Sequence, residues 1–154
     1  MEPKPLKRHK ALQPFSREHH HGLLLSWKIR SGLSKNVEPR RIKVYASWFY
    51  KTHLKPHFEV EEKHIFSLME DGNNLVKRAL ADHRRLARLF TLEPDDVATL
   101  SKIEEELDKH IRFEERVLFP EIQKFATEAQ LEQIEKIHHP DEKFEDNLDD
   151  EFWK

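Results

Sequence analysis

The chain contains no cysteine, which excludes disulfides, thiolate nucleophiles and cysteine-ligated zinc or iron–sulfur sites. Only three of its 154 residues are glycine. No stretch shows the alternating β-branched pattern of a half-buried strand. No apolar run approaches the ~20 residues that a membrane span needs, so no membrane partner is expected. An excess of one charge is also missing. The 27 basic and 29 acidic side chains leave a net charge of −2, which gives no global field for nucleic acid. The N-terminus is basic but lacks the apolar stretch of a secretory signal, so a cytoplasmic location is expected.

Charge and histidine are plentiful. Charged residues make up 36% of the chain and histidine occurs eleven times. This length and composition predict one all-α domain. Residues 1–14 hold three prolines and read as an extended arm, 15–125 as a helical bundle, and 126–154 as a short helix with an acidic tail. The basic segment 1–10 and the acidic segment 141–154 both read as solvated.

Apolar spacing and cap signals predict four long helices. The first spans about 17–31, with Ser16 as N-cap and Gly32 as a stop. The second starts at Pro39 and runs past Pro56, which is expected to kink or break it just before His57. The third covers about 75–90, after the turn Asp71-Gly72-Asn73-Asn74. The fourth opens at Glu93-Pro94-Asp95-Asp96 and continues to Pro120. Thr127 and Gln130 form a capping signal for a short fifth helix that Pro140 ends. Short connections predict antiparallel neighbours, hence an up-down-up-down antiparallel four-helix bundle with a short C-terminal helix and tail. Trp27, Trp48 and the phenylalanines are expected in the core.

The stretch His110-Ile111-Arg112-Phe113-Glu114-Glu115-Arg116-Val117-Leu118-Phe119 places a histidine and a glutamate one helical turn apart, beside an apolar stripe. An imidazole and a carboxylate aimed into a core need a partner, and a metal ion is one that suits both. Earlier in the chain His57-Phe58-Glu59-Val60-Glu61-Glu62-Lys63-His64-Ile65-Phe66 repeats the pattern in register, as an internal duplication would. The first and third helices each centre a histidine on the inner face, His19 after Glu18 and His83 after Asp82. In a bundle His19, His57, Glu61, His83, His110 and Glu114 converge. Four imidazoles and two carboxylates are too many for one tetrahedral zinc. They suit two ions, each with two imidazoles and bridged by carboxylates, with iron, manganese or zinc as candidates.

Taken together, Glu18-His19, Asp82-His83 and the two His-x3-Glu-Glu-x3-Phe blocks resemble the hemerythrin-like, or HHE cation-binding, family over residues 16–123. The resemblance implies two iron ions in a non-haem di-iron centre. Its ligands would be His19, His57, His83 and His110, with Glu61 and Glu114 as bridges. It further implies binding or sensing of oxygen, nitric oxide or peroxide, or a role in iron handling. Two positions depart from the oxygen-carrying hemerythrins. Ala79 and Ala87 stand where a second third-helix histidine is expected, and the fourth-helix carboxylate is Glu114 at a four-residue spacing rather than an aspartate at five. Open coordination positions for a small ligand follow.

Some alternatives stay open in the sequence. His20 competes with His19 for the inward position. His64 returns to the face of His57 and Glu61 and offers an extra ligand or an outer donor, as does His53. Glu62 and Glu115 read as surface partners for Lys63, Arg112 or Arg116, and His138-His139 carries no pattern. Two further functions stand beside ligand binding. One is a di-iron enzyme turning over peroxide, nitric oxide or oxygen. The other is a metal- or redox-dependent regulatory module whose tail, through Phe152-Trp153, docks a protein partner. No acid–base or nucleophile set lies outside the candidate ligands.

Overall fold

A computed structural model describes residues 7–137 and 144–154; their regular structure is all helical, with no strand among them. His138, His139 and Pro140 lie outside the described residues, as does the start of the basic segment. Helix α1 covers Gln13–Ser34, α2 Pro39–Phe49, α3 Lys55–Val60 and α4 Asn74–Thr91. Helix α5 covers Val97–Phe113, α6 Phe119–Phe125 and α7 Glu128–Ile137. Helix α1 packs along α5, α4 packs on α5, and α2 contacts α1, α4 and α5. No helix among the described residues is long and apolar enough to cross a membrane.

Local sequence explains most of the element ends. Pro39 occupies the first turn of α2, where its missing N–H costs nothing. The Asn73 side chain accepts hydrogen bonds from the Leu75 and Val76 amides and starts α4. Asp96 accepts from the Thr99 amide at 2.7 Å and starts α5. Thr127 and Gln130 form a reciprocal box ahead of α7: the Gln130 amide donates to Thr127 Oγ1 at 3.1 Å and the Thr127 amide donates to Gln130 Oε1 at 2.8 Å.

Helix α1 differs from its predicted span at both ends. It begins at Gln13 because Pro14 sits in the first turn and because Leu12 and Phe15 are buried. Ser16 therefore lies inside the helix and caps nothing. Gly32 also lies inside it, as a point of close packing: a Cβ there would stand 2.8 Å from the Phe152 ring and 2.9 Å from Ile42 Cδ1. Trp27, expected in the core, is 48% exposed, because α1 turns its inner face toward His19, Leu25 and Ile29 instead.

Neither Pro56 nor Pro120 breaks the helical path. Each follows a wide π-turn, Tyr50–Leu54 before Pro56 and Glu114–Leu118 before Pro120. A proline ring in an α-helix collides with the carbonyl four residues earlier. Here those carbonyls, on Thr52 and Arg116, belong to the π-turns, whose bonds span five residues: Lys55 N–H to Tyr50 O, and Phe119 N–H to Glu114 O. A third π-turn, Glu61–Ile65, has no proline after it. It opens on Glu61, as the turn Glu114–Leu118 opens on Glu114. Single π-turns recur at functional positions in helices.

The apolar core has two parts. One gathers Leu25, Ile29, Phe49, Leu86, Phe90 and Ile103, and the other Leu12, Phe15, Ile65, Phe113, Phe119 and Ile122. Among the described tail residues, 144–154, the aromatic side chains are docked rather than solvated, contrary to expectation, while Glu145 and Asp149 remain exposed. Phe152 and Trp153 are buried in the first part of the core, with Phe144 packed against it. Two of the tail acids, Asp146 and Asp150, are paired with side chains of the helices. Asp146 takes the Lys28 ammonium at 2.8 Å and the Tyr45 hydroxyl at 2.5 Å, and Asp150 binds the Arg41 guanidinium through both oxygens. Aromatic spacing within an acidic run hid a docked segment: the acids face basic side chains of α1 and α2, while the rings enter the core.

Candidate metal centre

His19, His57, Glu61, His83, His110 and Glu114 are all buried, and the two glutamates are fully inaccessible. Each histidine belongs to a different helix: His19 to α1, His57 to α3, His83 to α4 and His110 to α5. Their side chains form two groups, one of His19, His57, Glu61 and Glu114, the other of His83, His110, Glu61 and Glu114. Within each group the nearest ligand atoms lie within 4.8 Å of one another. Both glutamates are common to the two groups. Glu61 turns Oε2 to His57 Nε2 at 3.2 Å and to His19 Nε2 at 3.4 Å, and Oε1 to His83 Nε2 at 3.2 Å. Glu114 Oε1 stands 3.0 Å from His19 Nε2 and 3.2 Å from His110 Nε2.

The inward atoms are short of hydrogen bonds. His57 Nε2, His83 Nε2, His110 Nε2, both Glu61 oxygens and Glu114 Oε2 are buried and make none among the described residues. Buried polar atoms are nearly always bonded, so a cluster of this many marks a place for another ligand-binding species. Two shared carboxylates and four imidazoles match the donor set of a divalent transition metal, and the residues can hold a metal ion.

The other ring nitrogen of each histidine faces a carboxylate. His57 Nδ1 lies 3.0 Å from Glu18, His83 Nδ1 2.8 Å from Glu62, and His110 Nδ1 3.0 Å from Asp82. His19 Nδ1 lies 3.5 Å from Glu115. A carboxylate at Nδ1 fixes the proton there and turns the lone pair of Nε2 inward, as a metal-ligating histidine requires. The pattern is reciprocal. The acid before each lone histidine serves the histidine of a His-x3-Glu segment, and the acid after each shared glutamate serves a lone histidine. Glu62 and Glu115, expected as surface ion-pair partners, are thus turned to the site. The signal was in the sequence as the doubled Glu-Glu pairs, but which helix they faced depended on the packing.

Charges reinforce one another across the cluster. Burial pulls the His57 imidazole down, but Glu61 and Glu18 outweigh it and raise it to about 9. His110 is likewise lowered by burial and carried up to about 9 by Glu114 and Asp82. His19 and His83 are raised by the same opposition. Burial lifts the Glu61 carboxyl, yet His57, His19 and His83 hold it well below the usual range.

Aromatic rings seal the centre. Phe58 stacks on His83 at 3.9 Å, Phe119 on His19 at 5.2 Å, and Phe66 and Phe15 lean on His83 and His57. A surface cleft of about 440 Å³, lined by Arg78, Asp82, Arg85, Lys109 and His110 among others, reaches the outer side of His110. His20 is exposed, which leaves His19 as the inward histidine of α1. His64 is half-buried and in neither ligand group, and His53 sits against Phe144 with Nε2 3.2 Å from the Glu145 carbonyl. Ala79 is buried and adds no ligand at the third-helix position. Comparison with protein-family models, curated proteins and solved structures finds no match to this chain.

Proposed function

We propose that this chain is a hemerythrin-like non-haem di-iron protein. It would be an up-down-up-down four-helix bundle that binds or senses oxygen or a related small ligand such as nitric oxide or peroxide, or that handles iron. One observation carries the reading: two four-residue groups share Glu61 and Glu114, and each histidine is backed by an acid at Nδ1. His19 with His57 would hold one ion, His83 with His110 the other, and the two glutamates would bridge them. Zinc and manganese fit the same donors. Bound iron would supply one-electron redox chemistry and open coordination positions.

The protein's own groups set the conditions for that chemistry. Glu18, Glu62 and Asp82 hold Nδ1 protons so that the Nε2 lone pairs face inward. Phe15, Phe58, Phe66 and Phe119 pack on the imidazoles and exclude water, which favours small ligands over organic substrates. The tail rests on its own domain, and this makes Phe152 and Trp153 structural anchors rather than a free docking motif.

The test is metal analysis of protein expressed with iron available, followed by anaerobic reduction and admission of air under a spectrophotometer. Two irons per chain, with a visible band that forms on exposure and reverses on removal, are the expected result. Irreversible oxidation with turnover of peroxide or nitric oxide would favour an enzyme. A folded protein without stoichiometric metal would overturn the reading.

A further inference from the structure

The two metal positions have different surroundings. Three of the four outer contacts are hydrogen bonds of 2.8–3.0 Å, from His57, His83 and His110. The fourth, His19 Nδ1 to Glu115 Oε2, is 3.5 Å, and His19 Nδ1 is buried without a hydrogen bond among the described residues. The same Glu115 oxygen is occupied elsewhere. Ser16 Oγ donates to it at 3.0 Å, and the Arg8 guanidinium stands 3.5 Å away. Arg8 is itself fixed: it donates to the Glu115 carbonyl at 2.6 Å and to Gln123 Oε1 at 3.1 Å, and lies over the Phe119 ring that stacks on His19. The duplicated half gives the comparison, since Glu62, which corresponds to Glu115, meets His83 at 2.8 Å.

We infer that Arg8 and Ser16 hold Glu115 away from His19, and so make the His19–His57 position the weaker of the two, the second to fill and the first to empty. This rests on the metal reading above. A carboxylate that accepts the Nδ1 proton makes the imidazole a stronger donor through Nε2, and loss of such a partner typically costs 10–100-fold in metal affinity. A carboxylate oxygen that already accepts from a hydroxyl and faces a guanidinium polarises the imidazole less. Arg8 and Ser16 are therefore positioning residues that act on the metal through Glu115 and His19. Arg8 belongs to the N-terminal approach to α1 and Ser16 to the start of that helix, so a segment expected as an extended arm helps to set a property of the centre.

The experiment uses the full chain, stripped of metal and titrated anaerobically with cobalt(II), followed by visible absorption and calorimetry. Two binding steps are expected, separated by roughly tenfold or more. Repulsion between two ions would also separate the steps, so the position of the first ion decides. Crystals carrying one equivalent of cobalt should show anomalous scattering between His83 and His110. Scattering shared equally, or centred between His19 and His57, would overturn the inference while leaving the metal reading intact. In the Arg8→Ala/Ser16→Ala variant the second step should tighten by roughly tenfold with the first unchanged. A second step that stays where it was would also count against the inference. Glu62→Gln should weaken the first step, whereas Glu115→Gln, which removes a carboxylate already turned from His19, should change the second step much less. Absence of any cobalt binding by folded protein would remove both the metal reading and this inference.

Discussion

Asp82 sits beside His83 in the chain, yet its carboxylate lies 3.0 Å from Nδ1 of His110, a residue of the neighbouring helix. The acid next to one histidine thus orients another, and α4 and α5 are tied together at the centre. Asp82→Ala leaves the buried His110 Nδ1–H without an acceptor. The expected outcome is a 10–100-fold loss of metal affinity with helical content retained. Competition with a chromophoric chelator, beside far-ultraviolet circular dichroism, checks both halves. An unchanged affinity would mean that packing alone orients His110.

The shared glutamates and the single histidines should differ in what their loss does. Glu61 reaches His19, His57 and His83, so Glu61→Ala removes a donor from both groups. His110 belongs to one group only. Bound metal measured by plasma emission should fall toward zero in Glu61→Ala and toward one ion in His110→Ala. Equal metal content in the two variants would contradict the assignment of Glu61 as a bridge.

Protons and metal compete for the same imidazoles, and the sign of the effect is fixed by the raised histidines. His57 and His110 rise from about 6.5 unfolded to about 9 folded, because Glu61 with Glu18, and Glu114 with Asp82, outweigh burial. A raised histidine contributes stability that is complete below the unfolded value and lost as pH rises through the folded one. Metal-free protein should therefore melt at progressively lower temperature from about pH 6.5 to about 9. Metal needs the neutral imidazole, so the stabilisation given by added metal should grow over the same interval. Scanning calorimetry with and without metal checks this. A flat metal-free profile would mean that the carboxylates do not control these histidines.

How much of this was legible in the sequence depends on whether the information was local. His57 with Glu61 and His110 with Glu114 declare themselves by a one-turn spacing, and His83 by the centring of an apolar arc. Caps at Asn73, Asp96 and Thr127 are short-range and were readable. The choice of His19 over His20 was a preference that only packing resolves. The π-turns before Pro56 and Pro120 were not readable, because a proline in a helical pattern predicts a kink and not the wider turn that absorbs it. Glu62 and Glu115 stay outside both ligand groups, as expected, but their partners, His83 for one and Ser16 with Arg8 for the other, are distant in the chain and no local pattern reveals them. The docking of the tail is hidden for a similar reason: Asp146 and Asp150 carry no local sign of their partners Lys28, Tyr45 and Arg41, which only the packing brings opposite them.

Lys28 gives a test of the docked tail. Its ammonium is buried between the Tyr45 hydroxyl and Asp146, both at 2.8 Å, and lies 3.9 Å from the centre of the Trp153 ring. Asp146→Ala leaves that ammonium without its counter-charge and should cost about 1–3 kcal/mol, the range for stranding a buried polar group. Denaturant unfolding measures the loss. Lys28→Met combined with Asp146→Ala should recover part of it, since no charge then remains buried. A double variant as unstable as the single one would indicate that Asp146 acts through Tyr45 instead.

Gly32 reports on the same docking from inside α1. In an isolated helix, replacing glycine by alanine gains about 1 kcal/mol. Here the added Cβ would stand 2.8 Å from one carbon of the Phe152 ring, 3.0 Å from another and 2.9 Å from Ile42 Cδ1. The ring is buried and cannot swing aside cheaply, so overpacking of about 1–3 kcal/mol should outweigh the helical gain. Gly32→Ala is expected to destabilise the full chain. In a chain ending before Phe144 the ring is gone and only the flexible end of Ile42 remains, so the same substitution should be less damaging there or even stabilising. Urea midpoints for the four chains, with and without the tail and the substitution, give the coupling directly. Equal effects of Gly32→Ala in both backgrounds would mean that Phe152 does not occupy this site in solution.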